Sequence, residues 1–282
     1  MANDFNPEHF ATMDAWDVFG ELLYAGVRTG PVSNYVRIYD TEPLQVNNLA
    51  GTQYIQVPLF TPLTIYVSDC DTCVTAQDLT ITNKEIEIKT RYATINICTN
   101  ELLSLKPSEF TQILDQIRND LNQKLADEIV TELANGTGGP YGTFNTAFTL
   151  ANVGGSAYRG IAEAGFYQDP EEEVIFLVGS KAFSEIGGIS NATTKFIRGA
   201  QVLEGVFGAV VVLNPKVVAS GVNTTNFAYK KSAIGLGFPE NMDQVFVKVQ
   251  EGDVCVPAIK WAIGLNYGVK VLNPAAIFRV RN

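Results

Sequence analysis

The longest regular hydrophobic pattern in the chain lies in residues 107–135. Its apolar side chains recur every three or four positions, which is the spacing of one helical face. They are Phe110, Ile113, Leu114, Ile117, Leu121, Leu125, Ile129 and Leu133. Because Pro107 suits a first helical turn and Asn135–Gly136 suits a C-terminal end, the pattern predicts one helix about 40 Å long.

Residues 7–25 carry a second helical stripe, with acidic residues between the apolar ones. Pro7 suits the first turn of this helix and Gly26 suits its end. A terminal helix with one apolar face needs a cover, which its own subunit or a neighbouring subunit could provide. The candidate residues for contact with a neighbour are Phe10, Trp16, Phe19 and Leu22.

Two runs rich in Ile, Val, Thr and Tyr, residues 55–67 and 79–97, follow an extended region. The second run alternates apolar and polar positions, which is typical of a strand. A polar stretch separates the two runs, so the pattern predicts a long hairpin with a polar tip. Since an isolated hairpin is only marginally stable in water, we expect a protruding one to lie on another surface.

The second half of the chain mixes helix and strand patterns. A short helix around residues 158–166 precedes the apolar run 174–178, which is typical of a buried strand. Ser180 suits the N-cap of another helix, and residues 208–214 form a second apolar run. The last third again shows strand patterns, so the chain as a whole predicts an α+β fold.

The chain carries few charges for its length. Of its 282 residues, 18% are charged, where an average soluble domain has about 25%. Interface cores are depleted in charge, so this deficit suggests that part of the surface contacts other subunits. The hydrophobic share of 46% excludes a disordered chain.

The distribution of charge and hydropathy excludes further classes. No apolar run approaches the ~18 residues of a membrane-spanning helix. The N-terminus lacks the basic and apolar regions of a secretory signal, so we expect synthesis in the cytoplasm. Residues 1–179 hold 24 acidic and 9 basic residues, whereas 180–282 hold 6 and 11. The absence of dense Lys/Arg runs argues against sequence-specific binding of nucleic acid.

Two of the four cysteines, Cys70 and Cys73, form a CxxC motif, and the others are Cys98 and Cys255. The motif has two functional interpretations, a redox pair or half of a zinc site. A four-cysteine zinc site needs a second close pair, and a redox motif opens a helix after a strand. Because neither context is present, we expect free thiols and no metal.

Few residues form catalytic patterns. The single histidine, His9, has no nucleophile motif beside it, and the acidic run 169–173 is typical of a solvated turn. Asp127 and Glu128 fall on the polar face of the predicted long helix and need no special role. The Gly-rich loop 136–145 follows a helix, whereas a phosphate-binding loop leads from a strand into one. We therefore expect no enzyme and no cofactor.

The order of these elements resembles that of a known family, and four segments carry the resemblance. They are DLTITNKEIEIKTRYATINICTNELLS, FTQILDQIRNDLNQKLADEIVTELANGTGG, FIRGAQVLEGVFGAVVVLNPKV and WAIGLNYGVKVLNPAAIFRV. In this order they resemble an extended-loop strand, a spine helix, a "leGxPVvvtn" segment and the C-terminal strands. On these segments the chain resembles the major capsid proteins of tailed bacteriophages, which have the Hong Kong 97-type fold.

The resemblance covers nearly the whole chain and implies five regions. They are an N-terminal arm (1–51), an extended-loop hairpin (52–95), a peripheral domain with the spine helix (96–139), an axial domain (140–225) and returning strands (226–282). It also implies a structural viral protein that assembles as hexamers and pentamers into an icosahedral shell. That shell would enclose double-stranded DNA contacted non-specifically, with separate scaffolding, portal and decoration proteins as partners. The implied location is the virion, with no membrane.

Some relatives cross-link their subunits through a lysine on the extended loop, and Lys84 lies at a comparable place. The Asn and Glu partners of that reaction cannot be matched here, so we expect Lys84 to be solvated. Lys84, Glu85 and Glu87 remain candidate assembly residues. The scaffolding region that precedes the fold in many relatives has no counterpart, so we expect a separate scaffolding protein or none.

Two alternatives remain open at this stage. An encapsulin-type compartment shell has the same fold and would be favoured by particles free of nucleic acid. A soluble α+β enzyme could use the CxxC motif or the acidic loop. The enzyme hypothesis predicts that replacing Cys70 and Cys73 by serine abolishes an activity and leaves assembly intact.

Overall fold

The computed structural model describes most of the chain. The described residues are 13–41, 44–45, 53–60, 81–98, 107–144, 146–166, 172–189, 194–197, 200–206, 208–217, 225–239, 245–251 and 258–282. The helices are α1 Met13–Arg28, α2 Pro107–Leu133, α3 Leu150–Phe166 and α4 Ser180–Ile189. The strands are β1 Arg37–Thr41, β2 Leu44–Gln45, β3 Gln53–Phe60, β4 Ile81–Cys98, β5 Gly138–Tyr141, β6 Val174–Val178, β7 Thr194–Ile197, β8 Ala200–Val206, β9 Ala209–Leu213, β10 Thr225–Lys230, β11 Ile234–Pro239, β12 Val245–Glu251, β13 Ala258–Val271 and β14 Phe278–Arg281.

The long helix predicted from the apolar stripe is α2, which has 27 residues. Its described stripe is buried at Ile117, Leu121, Leu125, Ile129 and Leu133. Ile113 and Leu114 are partly buried against the same core, while the side chain of Phe110 lies outside the described residues. The apolar face therefore packs on the subunit's own core, as the helical spacing predicts.

Helix α1 continues past the end predicted at Gly26 and stops at Arg28. Gly26 lies inside the helix and against the side chain of Arg118 on α2, which a Cβ atom would displace. Gly26 is therefore part of a contact between two helices, and the expected termination signal is wrong. The predicted first turns before Met13 lie outside the described residues.

The first sheet follows the order β1-β11-β13-β4-β3-β2, with β12 paired to β13. Strand β4 has 18 residues and changes partner along its length. Its half from Lys89 to Cys98 pairs antiparallel with β13, and its half from Ile81 to Ile88 pairs antiparallel with β3. The predicted hairpin therefore begins as a continuation of this sheet. We call β3 with residues 81–88 the ribbon.

The second sheet follows the order β5-β14-β10-β6-β9-β8-β7 and lies between two layers of apolar side chains. Alternate residues of its central strand β6 face opposite ways. Ile175 and Leu177 join the core that contains α2, and Val174, Phe176 and Val178 join a second core beneath α3 and α4. The apolar run predicted as a buried strand is thus buried on both faces, as strands between two layers are.

A buried asparagine ties the second sheet together. Asn226 on β10 is fully buried, and its Oδ1 accepts a hydrogen bond from the Gly179 backbone N at 3.2 Å. Its Nδ2 donates to the Val280 carbonyl at 3.2 Å and to Asn282 Oδ1 at 2.9 Å. This side chain therefore joins three parts of the chain that are distant in sequence.

Replacing Asn226 by leucine is expected to lower the free energy of unfolding by about 1–3 kcal/mol. The substitution removes three hydrogen bonds and leaves the Gly179 N–H, the Val280 carbonyl and the Asn282 side-chain oxygen buried without them. Urea unfolding followed by circular dichroism measures the loss. The control, Asn119→Leu, changes an exposed asparagine on α2 and should shift the free energy by less than about 0.5 kcal/mol.

Tyr229 is the opposite case, because no hydrogen bond within the described residues offsets the burial of its hydroxyl. Its ring is fully buried, and its hydroxyl has no hydrogen-bond partner within the described part of the chain. Burial raises the pKa of Tyr229, since the charged form would be deep in the core. Tyr229→Phe is therefore expected to keep or raise the melting temperature in calorimetry. A clear loss of stability would show that the hydroxyl has a partner.

Candidate assembly surfaces

The described part of α1 packs on its own subunit. Leu23 and Val27 are buried in the main core, whereas Leu22 is 61% exposed. Of the candidate contact residues in this helix, Leu22 is therefore the one that the structure places at the surface. Trp16 and Phe19 lie within α1, but their side chains lie outside the described residues, and so does all of Phe10.

The base of the ribbon is held by a small core of its own. This core consists of Ile55, Val57, Ile86, Ile88 and Leu272. Glycines in β11 and β13 make room for it: a Cβ atom on Gly237 would lie 2.8 Å from Ile55 Cδ1. At the base, the cover that we expected from another surface comes from the same subunit. Residues 61–80, which include the predicted polar tip, lie outside the described residues.

The structure places Lys84, Glu85 and Glu87 on the ribbon but does not bring them into one site. Side chains alternate along a strand, so Lys84 shares its face with Ile86, while Glu85 and Glu87 point the other way. Lys84 and Glu85 are exposed. Glu87 forms an ion pair with Lys89 at 2.7 Å, and Glu85 accepts a hydrogen bond from Gln56 at 3.4 Å.

The face with Glu85 and Glu87 forms one wall of a charged groove of about 470 Å³, and α2 forms the other wall. Its deepest ion pair joins Arg91 on β4 to Glu128 on α2. The side chains of these two residues are only 16% and 19% exposed. Glu128, for which we expected no special role, is thus the partner of a largely buried arginine from another element.

The acidic run 169–173 is also more than a solvated turn in its described part. Glu172 is half-buried, and its Oε2 accepts a hydrogen bond from the Ser232 backbone N at 3.0 Å. This contact joins the start of β6 to the short turn between β10 and β11. Glu172 therefore makes a contact within the fold, whereas we expected the acidic run to be solvated.

A second groove of about 1060 Å³ lies between the end of α1, the polar side of α2 and the β7–β8 hairpin. Five amide side chains are part of its lining, namely Gln116, Asn119, Asn122, Gln123 and Gln201. The hairpin contributes Phe196, which is 71% exposed. The groove combines hydrogen-bonding groups with an exposed aromatic ring and carries little charge.

Aromatic and arginine side chains meet at the β5 edge of the second sheet. The Arg159 guanidinium lies 4.6 Å from the Tyr141 ring, and that of Arg281 lies 4.4 Å from the Phe144 ring. Tyr158 is 52% exposed on the neighbouring helix α3. Burial, followed by a hydrogen bond to Glu163, raises the pKa of Tyr141. Arginine and aromatic residues are enriched at protein–protein interfaces, so this edge is a candidate contact surface.

Metal and membrane sites do not emerge from the described residues. In those parts of the chain, no group of three or more His, Cys, Asp or Glu side chains could hold a metal ion. No helix among them is long and apolar enough to cross a bilayer. The CxxC cysteines and His9 lie outside the described residues.

Solved structures resemble this chain, although no family model and no curated protein matches its sequence. The subunit of a virus-like particle from Pyrococcus furiosus matches with a TM-score of 0.60 at 10% identity, over 95% of this chain and 100% of that one. The head of the Helicobacter pylori bacteriophage KHP40 matches with a TM-score of 0.60 at 12% identity, over 90% of both chains.

The chain has the Hong Kong 97-type capsid fold. This confirms the α+β fold class and the resemblance drawn from the four sequence segments. The SrpI encapsulin of Synechococcus elongatus matches equally well, with a TM-score of 0.59 at 14% identity over 88% of this chain and 85% of that one. The fold is therefore common to viral shells and to an encapsulin.

Proposed function

We propose that this chain is a major capsid protein, the subunit of the icosahedral head of a tailed bacteriophage. The observation that carries the proposal is the agreement of fold over 95% of the chain with a virus-like particle subunit and over 90% with a phage head protein. In this role the chain forms hexamers and pentamers around double-stranded DNA. Its function is structural.

The surface supports this role. Apart from Leu22 and Phe196, the exposed large hydrophobic residues include Ile81 and Tyr92 on β4 and Phe166, which is 91% exposed, at the end of α3. These exposed apolar groups lie on α1, β4, β7 and α3, and such groups are expected where neighbours cover them. A shell subunit meets different copies of itself on different sides, so it needs such surfaces in more than one place.

Each region then has a place in the shell. The hairpin 52–95 reaches over an adjacent subunit, and Lys84, Glu85 and Glu87 contact that subunit. The axial region 140–225 meets its copies at the centres of the hexamers and pentamers, and the arm 1–51 reaches a neighbour through Phe10, Trp16, Phe19 and Leu22. The protein is made in the host cytoplasm and becomes part of the virion. It assembles with portal and decoration proteins and with a separate scaffolding protein or none.

Electron microscopy of the purified protein tests the proposal. We expect closed icosahedral particles of uniform diameter, formed by the chain itself or together with a scaffolding protein. A chain that remains monomeric under all assembly conditions, including with scaffold, would contradict the proposal. Particles from the native source that hold a cargo enzyme and no DNA would favour an encapsulin-type compartment over a phage head.

A further inference from the structure

The ribbon departs from the first sheet at one point of β4, next to the small core that holds its base. Gln53 is paired with Ile88, and Tyr267 is paired with the next residue of β4, Lys89. Strand β4 therefore changes its pairing partner from β13 to β3 between two consecutive residues. A small rotation of the backbone here moves the far end of the ribbon by a large distance.

Arg91 lies two residues from this point and forms hydrogen bonds to α2, to β13 and to its own strand. Its Nε and Nη2 donate to the two carboxylate oxygens of Glu128 on α2, at 3.0 and 2.9 Å. Its Nη1 donates to the carbonyl oxygens of Lys89, on its own strand, and Tyr267, on β13, both at 2.6 Å. Its guanidinium also lies 4.5 Å from the centre of the Tyr267 ring.

This geometry suits a positioning role better than a general contribution to stability. A bidentate arginine–carboxylate pair fixes both distance and orientation, because the planar fork matches the carboxylate in only one way. Partial burial reduces screening by solvent and salt. The ion pair between Lys89 and Glu87 lies two residues away but is about half exposed, so it lacks both properties.

The backbone leaves little room for an alternative arrangement. Gly264 and Gly268 of β13 lie against the Arg91 and Glu87 carbonyl oxygens of β4, so close that neither glycine could carry a Cβ atom. Glycine within a strand often marks a close approach of another backbone. The two strands are thus held together at the point where the ribbon departs, and Arg91 fixes their joint orientation to α2.

We propose that Arg91 and Glu128 are positioning residues that fix the angle between the ribbon and α2, and thereby the angle at which one subunit meets the next. The second part rests on the proposed function, since it needs a shell. The first part concerns a single subunit and holds whether or not shells form. The two parts are therefore tested by separate measurements.

The first measurement is a distance within the soluble subunit. Spin labels on unnatural amino acids at Thr82 on the ribbon and Asp120 on α2, both exposed, report the angle by pulsed electron paramagnetic resonance. We expect one narrow distance distribution in the unaltered protein and a broad one in Arg91→Met and Glu128→Gln. Arg91→Lys should restore the distribution only in part, because lysine keeps the charge but not the fork. The matched control, Lys89→Met, should keep the narrow distribution.

The second measurement is the distribution of particle diameters in electron micrographs of the same variants. Arg91→Met and Glu128→Gln should fold, as judged by circular dichroism, but give particles of mixed diameter or open sheets. An unchanged distance distribution in both variants would overturn the positioning role, and so would failure of both to fold. Broad distances with particles of normal diameter would overturn the link to shell geometry. If neither the variants nor the unaltered protein form particles under any assembly condition, including with scaffold, the proposed function fails while the distance result still decides the positioning role.

Discussion

Replacing Leu125 by aspartate is expected to leave no soluble, folded protein. Leu125 is fully buried near the middle of α2, where helix and both sheets contribute to one core. An ionised carboxylate without a partner is strongly disfavoured there, so the group would have to bind a proton or the core would have to open. Loss of the leucine side chain adds about 2–5 kcal/mol from the cavity that it leaves. Together these costs approach the ~5–15 kcal/mol that holds a typical domain folded.

Two further variants on the same helix separate the causes. Leu125→Ala creates the cavity without the charge and should give soluble protein with a free energy of unfolding lower by about 2–5 kcal/mol. Gln123→Asp adds the charge at an exposed position and should change that free energy by less than about 0.5 kcal/mol. Solubility after expression and urea unfolding provide the readouts. Soluble Leu125→Asp with near-normal stability would show that this core admits water.

The elements that the sequence predicts well are those whose cause is local. The stripe of α2 repeats within a few residues, and every described member of it is buried or partly buried. The same holds for β6, whose unbroken apolar run matches burial on both faces. Such patterns depend only on the period of the helix or strand, so no knowledge of distant residues is needed.

The features that sequence reasoning missed depend on contacts between distant residues. Arg91 and Glu128 are 37 positions apart, and nothing in either local pattern indicates that their elements cross. The alternation that places Glu85, Glu87 and Arg91 on one face of a strand predicts a charged face, but not its partner. Gly26 is a similar case. Its sequence position suggests a helix end, whereas in the fold it lies inside α1 and packs against Arg118.

The hairpin combines features that a local pattern predicts with features that depend on distant residues. Its strand patterns predicted β3 and β4, but the burial of its base on Leu272, almost two hundred residues later, is visible only in the fold. The core residues of the ribbon, Ile55, Val57, Ile86 and Ile88, all lie outside the stretch 61–80. The base and the tip of the hairpin can therefore be separated by experiment.

Replacing residues 61–80 by an Asn-Gly turn is expected to abolish closed particles while leaving the subunit folded. Phe60 and Ile81 are directly paired across the ribbon, so a two-residue turn can join them in the existing register. The ribbon core stays in place, and the melting temperature should change by no more than about 2–4 °C, which corresponds to ~1 kcal/mol in a chain of this size. In the proposed shell, however, the removed residues are a large part of the hairpin that reaches over an adjacent subunit. Calorimetry and electron microscopy of the same preparation measure the two effects, and particles of normal diameter from the shortened chain would contradict the role of the hairpin in assembly.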